Sequence, residues 1–81
     1  MMRVLLFGRL ADVAGWRECA VEPPAATLSA LTALLAQTDP GLGAALAGKG
    51  VQAAVDKAIV RGDAALAAGA EVAFLPPMSG G

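Results

Sequence analysis

Met2-Arg3-Val4-Leu5-Leu6-Phe7 is the stretch that decides the fold, because it is a continuous run of mostly bulky apolar residues that Gly8 halts. Such a run predicts a strand that is covered on both faces. Residues 9–14 have room for one or two helical turns before Gly15, and residues 17–22 alternate between polar and apolar side chains. A strand, a short connection and a second strand predict an antiparallel pair at the start of the chain.

The segment after this pair has a different period. Its large apolar side chains recur at helical spacing: Leu28, Leu31, Leu34 and Leu35. This spacing predicts one helix with its leucine stripe packed on a sheet. Thr27 is the expected N-cap, because its hydroxyl can accept a hydrogen bond from a free amide of the first turn. Asp39-Pro40-Gly41 is expected to end the helix, and residues 42–47 have room for a further turn.

The second half of the chain predicts more strands. Residues 51–55 and 58–60 flank Asp56-Lys57, so they form either two short strands or one strand with a turn or bulge. Residues 71–75 form the last strand, because Pro76 cannot donate to a ladder. The order predicts an α+β domain over residues 1–75, with a mixed sheet on one main helix, followed by a flexible tail over residues 76–81.

Alternation along the strands predicts which side chains point away from the helix. The inward residues are taken to be Val4, Leu6, Val60, Val72 and Phe74, and their neighbours along each strand then point outward. On this basis four large apolar side chains lie on the outer face: Leu5, Phe7, Ile59 and Leu75. Unless the short helical pieces cover this face, it is exposed, which is typical of a protein interface.

The last strand leads into the tail Pro76-Pro77-Met78-Ser79-Gly80-Gly81. Two glycines have no side chains to obstruct a narrow channel, so a partner enzyme can thread the tail and react with the carboxylate of Gly81. The proline pair favours polyproline geometry and lowers the entropy lost on insertion. Ser79 offers one hydrogen bond, and the six residues span at most about 20 Å when extended. The alternative is a frayed and inert terminus.

Composition excludes several classes of function. The chain has 81 residues, no histidine and one cysteine, Cys19, so a zinc cluster, an internal disulfide and an activated thiol are not expected. Seven acidic and six basic residues give a net charge of −1, which argues against nucleic acid as a partner. No apolar run is long enough for a membrane span, and no signal peptide is evident, so a cytoplasmic location is expected.

The sequence resembles the small sulfur-carrier subunit of molybdopterin synthase over nearly the whole chain. The matching segments are residues 4–7 with the helical segment after them, Ala54-Val55-Asp56 and residues 66–81. The ending Phe-Leu-Pro-Pro-Met-Ser-Gly-Gly is the specific part. Three positions differ from residues that are usual in this family: Asp56 stands in place of Asn, Ala70 in place of Asp, and Leu75 in place of Phe. None of these differences lies at the terminus.

The resemblance implies the ubiquitin-like β-grasp fold and a carrier role without catalysis of its own. It implies that an ATP-dependent activating enzyme adenylates Gly81 and that a sulfurtransferase system converts it to a thiocarboxylate. It further implies that the loaded tail enters the large catalytic subunit, in a heterotetramer of two small and two large subunits, and donates sulfur to cyclic pyranopterin monophosphate. The positions that match partner-contacting residues are Phe7, Ile59 and Leu75. No tightly bound cofactor or metal is expected.

Three other classes stay open on the sequence. One is a sulfur carrier of another pathway, such as the thiamine pathway, although that group usually lacks the proline pair before the tail. Another is a ubiquitin-like modifier that is joined through Gly81 to lysines of target proteins. The third is an interaction domain with an inert tail.

Overall fold

The structure is a computed structural model that describes residues 1–77. Within these residues five strands and three helices follow one another along the chain: β1 Met2–Leu6, α1 Arg9–Ala14, β2 Glu18–Val21, α2 Leu28–Thr38, α3 Pro40–Leu46, β3 Gln52–Val55, β4 Ala58–Val60 and β5 Glu71–Leu75. The segments predicted from the sequence are all present, and their bounds differ by one or two residues.

The five strands form one mixed sheet in the order β2-β1-β5-β3-β4. The first and last strands, β1 and β5, lie side by side and parallel at its centre, and the other neighbours are antiparallel. A parallel pair needs a long crossover connection, which the helices and the second hairpin provide here. This is the β-grasp arrangement, and the fold prediction is confirmed.

The helix boundaries follow from side-chain caps. The hydroxyl of Thr27 accepts a hydrogen bond from the amide of Ala30 at 3.1 Å, as predicted for the N-cap of α2. Helix α2 ends at Thr38, and Asp39 then caps α3 by accepting from the amide of Leu42 at 3.1 Å. Pro40 follows at the first position of α3, where its missing amide would have no helical partner in any case.

All three helices share one core with the inner face of the sheet. The most deeply buried side chains come from the strands and from two of the helices: Met2, Val4, Leu31, Leu42 and Val72. Leu10 of α1 belongs to the same cluster. The helices therefore lie on one side of the sheet, which leaves the other side without a covering layer from them.

One residue of the leucine stripe departs from the expectation. Leu28, Leu31 and Leu35 are buried, but Leu34 is 39% exposed. At 100° per residue Leu34 lies about 60° beyond Leu31 around the helix, at the border of the stripe. The core contact of α2 is therefore narrower than the sequence pattern indicated.

The hairpin of β3 and β4 turns through only two residues. Val55 pairs with Ala58, so Asp56 and Lys57 form the loop. Both have positive φ, 49° and 73°, as a type I′ turn requires. The carboxylate of Asp56 also accepts from the amide of Glu71 at 3.0 Å, which ties the turn to the start of β5. Of the two alternatives for this segment, two strands are correct.

Candidate partner-binding face and tail exit

The outer side of the sheet is built on one row of paired residues. Leu5 pairs with Ala73, Ala73 with Ala54, and Ala54 with Ile59. Paired residues direct their side chains to the same face, so this row crosses four strands on the outer side. Two adjacent alanines at its centre give a flat floor between Leu5 and Ile59. Ala54 is 6% exposed, although it is not part of the core cluster.

Two further apolar side chains extend this surface toward the end of β5. The amide of Phe7 donates to the carbonyl of Phe74 at 3.3 Å, and alternation places Phe7 and Leu75 on the outer side. We call the six outward residues the apolar face: Leu5, Phe7, Ala54, Ile59, Ala73 and Leu75.

The structure brings together the residues that the sequence predicted for partner binding. Phe7 is 46% exposed and Ile59 is 49% exposed, while Leu75 is partly buried. Large apolar side chains that stay half in contact with water are typical of surfaces that a partner covers. A role in partner binding remains a prediction for Phe7, Ile59 and Leu75.

Charged side chains border the apolar face at the end that is farthest from the tail. Arg3 lies next to Glu71 in the register of β1 and β5. Its guanidinium contacts Glu18 at 3.0 Å and Glu71 at 3.5 Å. Arg3 and Glu18 are about half exposed, so we assign these ion pairs little stability. They make one end of the outer side charged, whereas the opposite, apolar end carries Phe7 and Leu75, with the uncharged Gln52 beside Leu75.

The chain leaves the sheet at the apolar end. Leu75 is the last residue of β5, and Pro76 follows at once. A Cβ atom at Gly8 would lie 3.0 Å from Cγ of Pro76, and a Cβ atom at Gly50 would lie 2.8 Å from Cβ of Pro77. Both prolines therefore lie against glycines of neighbouring loops, directly beside the apolar face.

Four predicted site residues lie outside the described residues: Met78, Ser79, Gly80 and Gly81. Their roles in threading and sulfur loading remain predictions. The extension of the tail over residues 76–81 as a separate flexible segment also remains a prediction.

Other polar groups of the chain contribute structure rather than a reactive centre. Burial raises the pKa of the Cys19 thiol, which keeps it protonated near neutral pH. Asp63 accepts from the amide and from the hydroxyl of Ser29, each at 2.8 Å, and thereby holds the loop after β4 against the start of α2. These bonds lower the pKa of Asp63, the backbone bond from Ser29 most of all.

Residues 1–77 contain no group of three or more His, Cys, Asp or Glu side chains that could hold a metal ion. None of the helices in this part of the chain is long and apolar enough to cross a membrane.

The sheet order, the helices on one face and the apolar face that leads into a tail define a ubiquitin-like β-grasp domain. The chain belongs to the ThiS family, which it matches over residues 4–81. The members of this family are ubiquitin-like sulfur carriers, small proteins that are generally not catalysts themselves and that work with partner enzymes. No curated protein matches the chain at a significant level of sequence similarity.

Solved structures agree with this family and with the fold. SAMP1 from Haloferax volcanii is 30% identical, with a TM-score of 0.83 over 99% of this chain and 98% of that chain. A second structure of H. volcanii small archaeal modifier protein 1 is 27% identical, with a TM-score of 0.81 over 95% and 97% of the two chains. Small archaeal modifier protein 1 from Methanosarcina acetivorans, at 21% identity, a TM-score of 0.84 and coverage of 99% and 95%, has the same fold.

Sequence reasoning missed part of this site. It did not place Ala54 on the apolar face, because a short apolar segment with adjacent alanines does not show which of them points inward. It also did not connect Gly8 and Gly50 with the prolines. The only available signal was that Gly8 ends the first apolar run and Gly50 precedes the third strand, which indicates turns but no contact with the tail.

Proposed function

We propose that this protein carries sulfur on the carboxyl group of Gly81. The observation that carries the proposal is the continuity of the apolar face with the tail: Leu75 belongs to the face, and Pro76 begins the tail. An enzyme that binds the apolar face thereby receives the tail beside its contact surface. Membership of the ThiS family supports a sulfur carrier over an inert domain.

The chemistry of loading follows from the properties of a carboxylate. A terminal carboxyl has a pKa of about 3.5, so at neutral pH it is an anion and a poor electrophile. Its oxygen attacks the α-phosphate of ATP, pyrophosphate leaves, and an acyl adenylate forms on the activating enzyme. A sulfur nucleophile then attacks the carbonyl carbon and AMP leaves with the shared oxygen. Hydrosulfide as the nucleophile gives the thiocarboxylate directly. A persulfide of a donor protein gives an acyl disulfide, from which a second thiol releases the thiocarboxylate by forming a disulfide with the donor sulfur.

For the acceptor, we propose the active site of a large molybdopterin synthase subunit. The ending Phe-Leu-Pro-Pro-Met-Ser-Gly-Gly over residues 74–81 supports this choice. An extended tail of six residues reaches about 20 Å from the sheet, so it can enter a buried pocket while the apolar face stays on the partner's surface. There the sulfur would pass to cyclic pyranopterin monophosphate, and two transfers would complete the dithiolene of molybdopterin. The large subunit would supply the catalytic side chains.

A second candidate is attachment to other proteins. It is favoured by the 30% identity to SAMP1 of Haloferax volcanii, whose structures describe it as a small archaeal modifier protein. Both routes begin with adenylation of the same carboxylate. They differ in the nucleophile that follows, which is sulfur for the carrier and a lysine amine of a target protein for the modifier.

The decisive experiment is an intact-mass measurement after incubation with the activating enzyme of the same organism, ATP and a sulfur donor. A gain of about 16 Da, oxygen replaced by sulfur, is expected. The gain should disappear when Gly81 is deleted or when one residue is added after it. The absence of a mass gain with an active enzyme would reject the sulfur carrier.

A second step separates the two acceptors. Purified large subunit and cyclic pyranopterin monophosphate are added to the loaded protein, and the dithiolene product is measured. In parallel, a lysate of the organism is probed for lysine adducts of the tagged protein. Product without adducts supports the molybdopterin route, and adducts without product support the modifier.

A further inference from the structure

We propose that Gly8 and Gly50 are positioning residues that fix the direction in which the tail leaves the sheet. This inference rests on the sulfur-carrier function proposed above, because the direction of the tail matters only if a partner receives it. We call these two residues the glycine pair.

The contact of the glycine pair with the prolines leaves no space for a side chain. A Cβ atom on Gly50 would lie 2.8 Å from Cβ of Pro77, and one on Gly8 would lie 3.0 Å from Cγ of Pro76. Ordinary carbon–carbon contacts are about 3.5–4.0 Å. An added methyl group must therefore displace the proline or the loop. Near Pro77 the obstacle is an atom bonded directly to the main chain.

The two glycines come from different parts of the fold. Gly8 joins β1 to α1, and Gly50 lies between α3 and β3. Each has a positive φ, 55° and 86° respectively, so glycine is favoured there on conformational grounds as well. Two loops that are separate in sequence thus contact successive residues of the tail, at the point where the ladder of β5 ends.

A small displacement at this point changes the direction of the chain. Relief of a 2.8 Å contact at Pro77 requires a movement of about 1 Å. Pro77 is two residues beyond Leu75, the last residue of β5, so over about 7 Å of chain this is a rotation of about 8°. Because a misplacement of about 1 Å can reduce a rate by about 100-fold, a change of this size should slow the steps that a partner carries out on the tail.

The two prolines resist this displacement. Each pyrrolidine ring fixes φ near −65°, so a displaced proline does not relax through its own φ. A flexible residue at position 76 or 77 would absorb the movement. The combination of two side-chain-free positions and two rigid rings therefore sets the exit angle.

The chain contains matched controls for this proposal. Gly15 and Gly62 also have positive φ, 82° and 71°, but a Cβ atom on either would meet no atom within 4 Å. Gly8→Ala and Gly50→Ala therefore combine backbone strain with a clash, whereas Gly15→Ala and Gly62→Ala introduce the strain alone. Thermal unfolding of all four variants gives the cost of the strain and identifies any variant that fails to fold.

The expected result is a specific loss in tail-dependent steps. At equal folded concentration, both variants of the glycine pair should lose at least about tenfold in kcat/KM for thiocarboxylate formation, and both controls should stay within about twofold. The ¹³C chemical shifts of Pro76 and Pro77 should change in Gly8→Ala and Gly50→Ala and stay constant in the controls. Equal rates and unchanged proline shifts in all four variants would overturn the proposal.

Double variants test the two contacts between the glycine pair and the prolines. Pro76→Ala removes the Cγ atom that faces Gly8, so Gly8→Ala should lose its extra cost in that background. Pro77→Ala keeps the Cβ atom that faces Gly50 but frees φ at position 77, so Gly50→Ala should keep only part of its cost. The opposite pattern would contradict the contact assigned here.

Failure of the proposed function gives a different result. If wild-type protein does not load with its activating enzyme, the sulfur carrier is rejected and the positioning role falls with it. If wild-type protein loads and the glycine pair behaves like the controls, only the positioning role is rejected. The proline chemical shifts report the contact in both cases.

Discussion

Ile59→Arg and Phe7→Ala should separate partner binding from folding. Both side chains lie on the apolar face, and each is about half exposed, 49% for Ile59 and 46% for Phe7. Neither belongs to the core cluster, so neither change leaves a cavity in the domain. We expect the thermal midpoint of both variants to stay within a few degrees of the wild-type value.

The magnitude of the binding effect follows from the exposed fraction. Full burial of a side chain of this size contributes about 1.5–3 kcal/mol, so covering the exposed half contributes about 1 kcal/mol. Phe7→Ala should therefore raise Kd about five- to tenfold. Ile59→Arg also places a charge in an apolar contact, and an unpaired charge there lowers the binding free energy further. The Kd of this variant should therefore rise about 100-fold or more.

The assay is a calorimetric titration of each variant into the two proposed partners, a large molybdopterin synthase subunit and an activating enzyme of the same organism. Leu34→Arg is the matched control, because Leu34 is 39% exposed but lies on α2, on the opposite side of the sheet. Wild-type affinity of Ile59→Arg for both partners would refute the assignment of the apolar face. So would an equal loss of affinity in Leu34→Arg.

Three further predictions concern stability. Gly43→Ala should destabilise the domain by about 1–3 kcal/mol in urea unfolding, because a Cβ atom there would collide with Ala36 of α2. Gly41→Ala in the same helix makes ordinary contacts and should not destabilise it. Equal urea midpoints for the two variants would contradict this packing. Lys57→Gly should stabilise by a few tenths to about 1 kcal/mol by removing a side chain at positive φ, and a lower thermal midpoint would count against the turn assignment. The pKa of Asp63 is lowered in the folded state, so its contribution to folding stability is complete above the ordinary aspartate pKa of about 4 and is lost as pH falls below it. Asp63→Asn should therefore weaken the fall of the thermal midpoint at acid pH. An unchanged fall would disprove the linkage.

The elements of this fold could be predicted from the sequence because their local signals agree with one another. The apolar run of β1, the Thr27 cap and the proline after β5 each act within a few residues, and the structure confirms each of them. The outward position of Phe7 and Ile59 could also be predicted, since a period of two leaves only one choice once the inner face is fixed.

Features that depend on distant contacts were not predictable. The exposure of Leu34 depends on how far α3 and the sheet extend around α2, which helical spacing alone does not determine. The contact of Pro77 with Gly50 requires the order of the strands in the sheet, because that order brings a loop near residue 50 to the end of β5. A glycine in a sequence predicts a turn, but it does not predict which residue approaches it.

The parallel pair at the centre of the sheet has a consequence for the order of folding. Before β5 is inserted, β1 with β2 and β3 with β4 are two hairpins that no strand joins. The strand that unites them is the last of the five to leave the ribosome, and its pairing with β1 closes a loop of nearly the whole chain, which is a slow step entropically. A chain interrupted anywhere before Leu75 therefore cannot complete the sheet. Assembly of the domain and presentation of the tail are the same event.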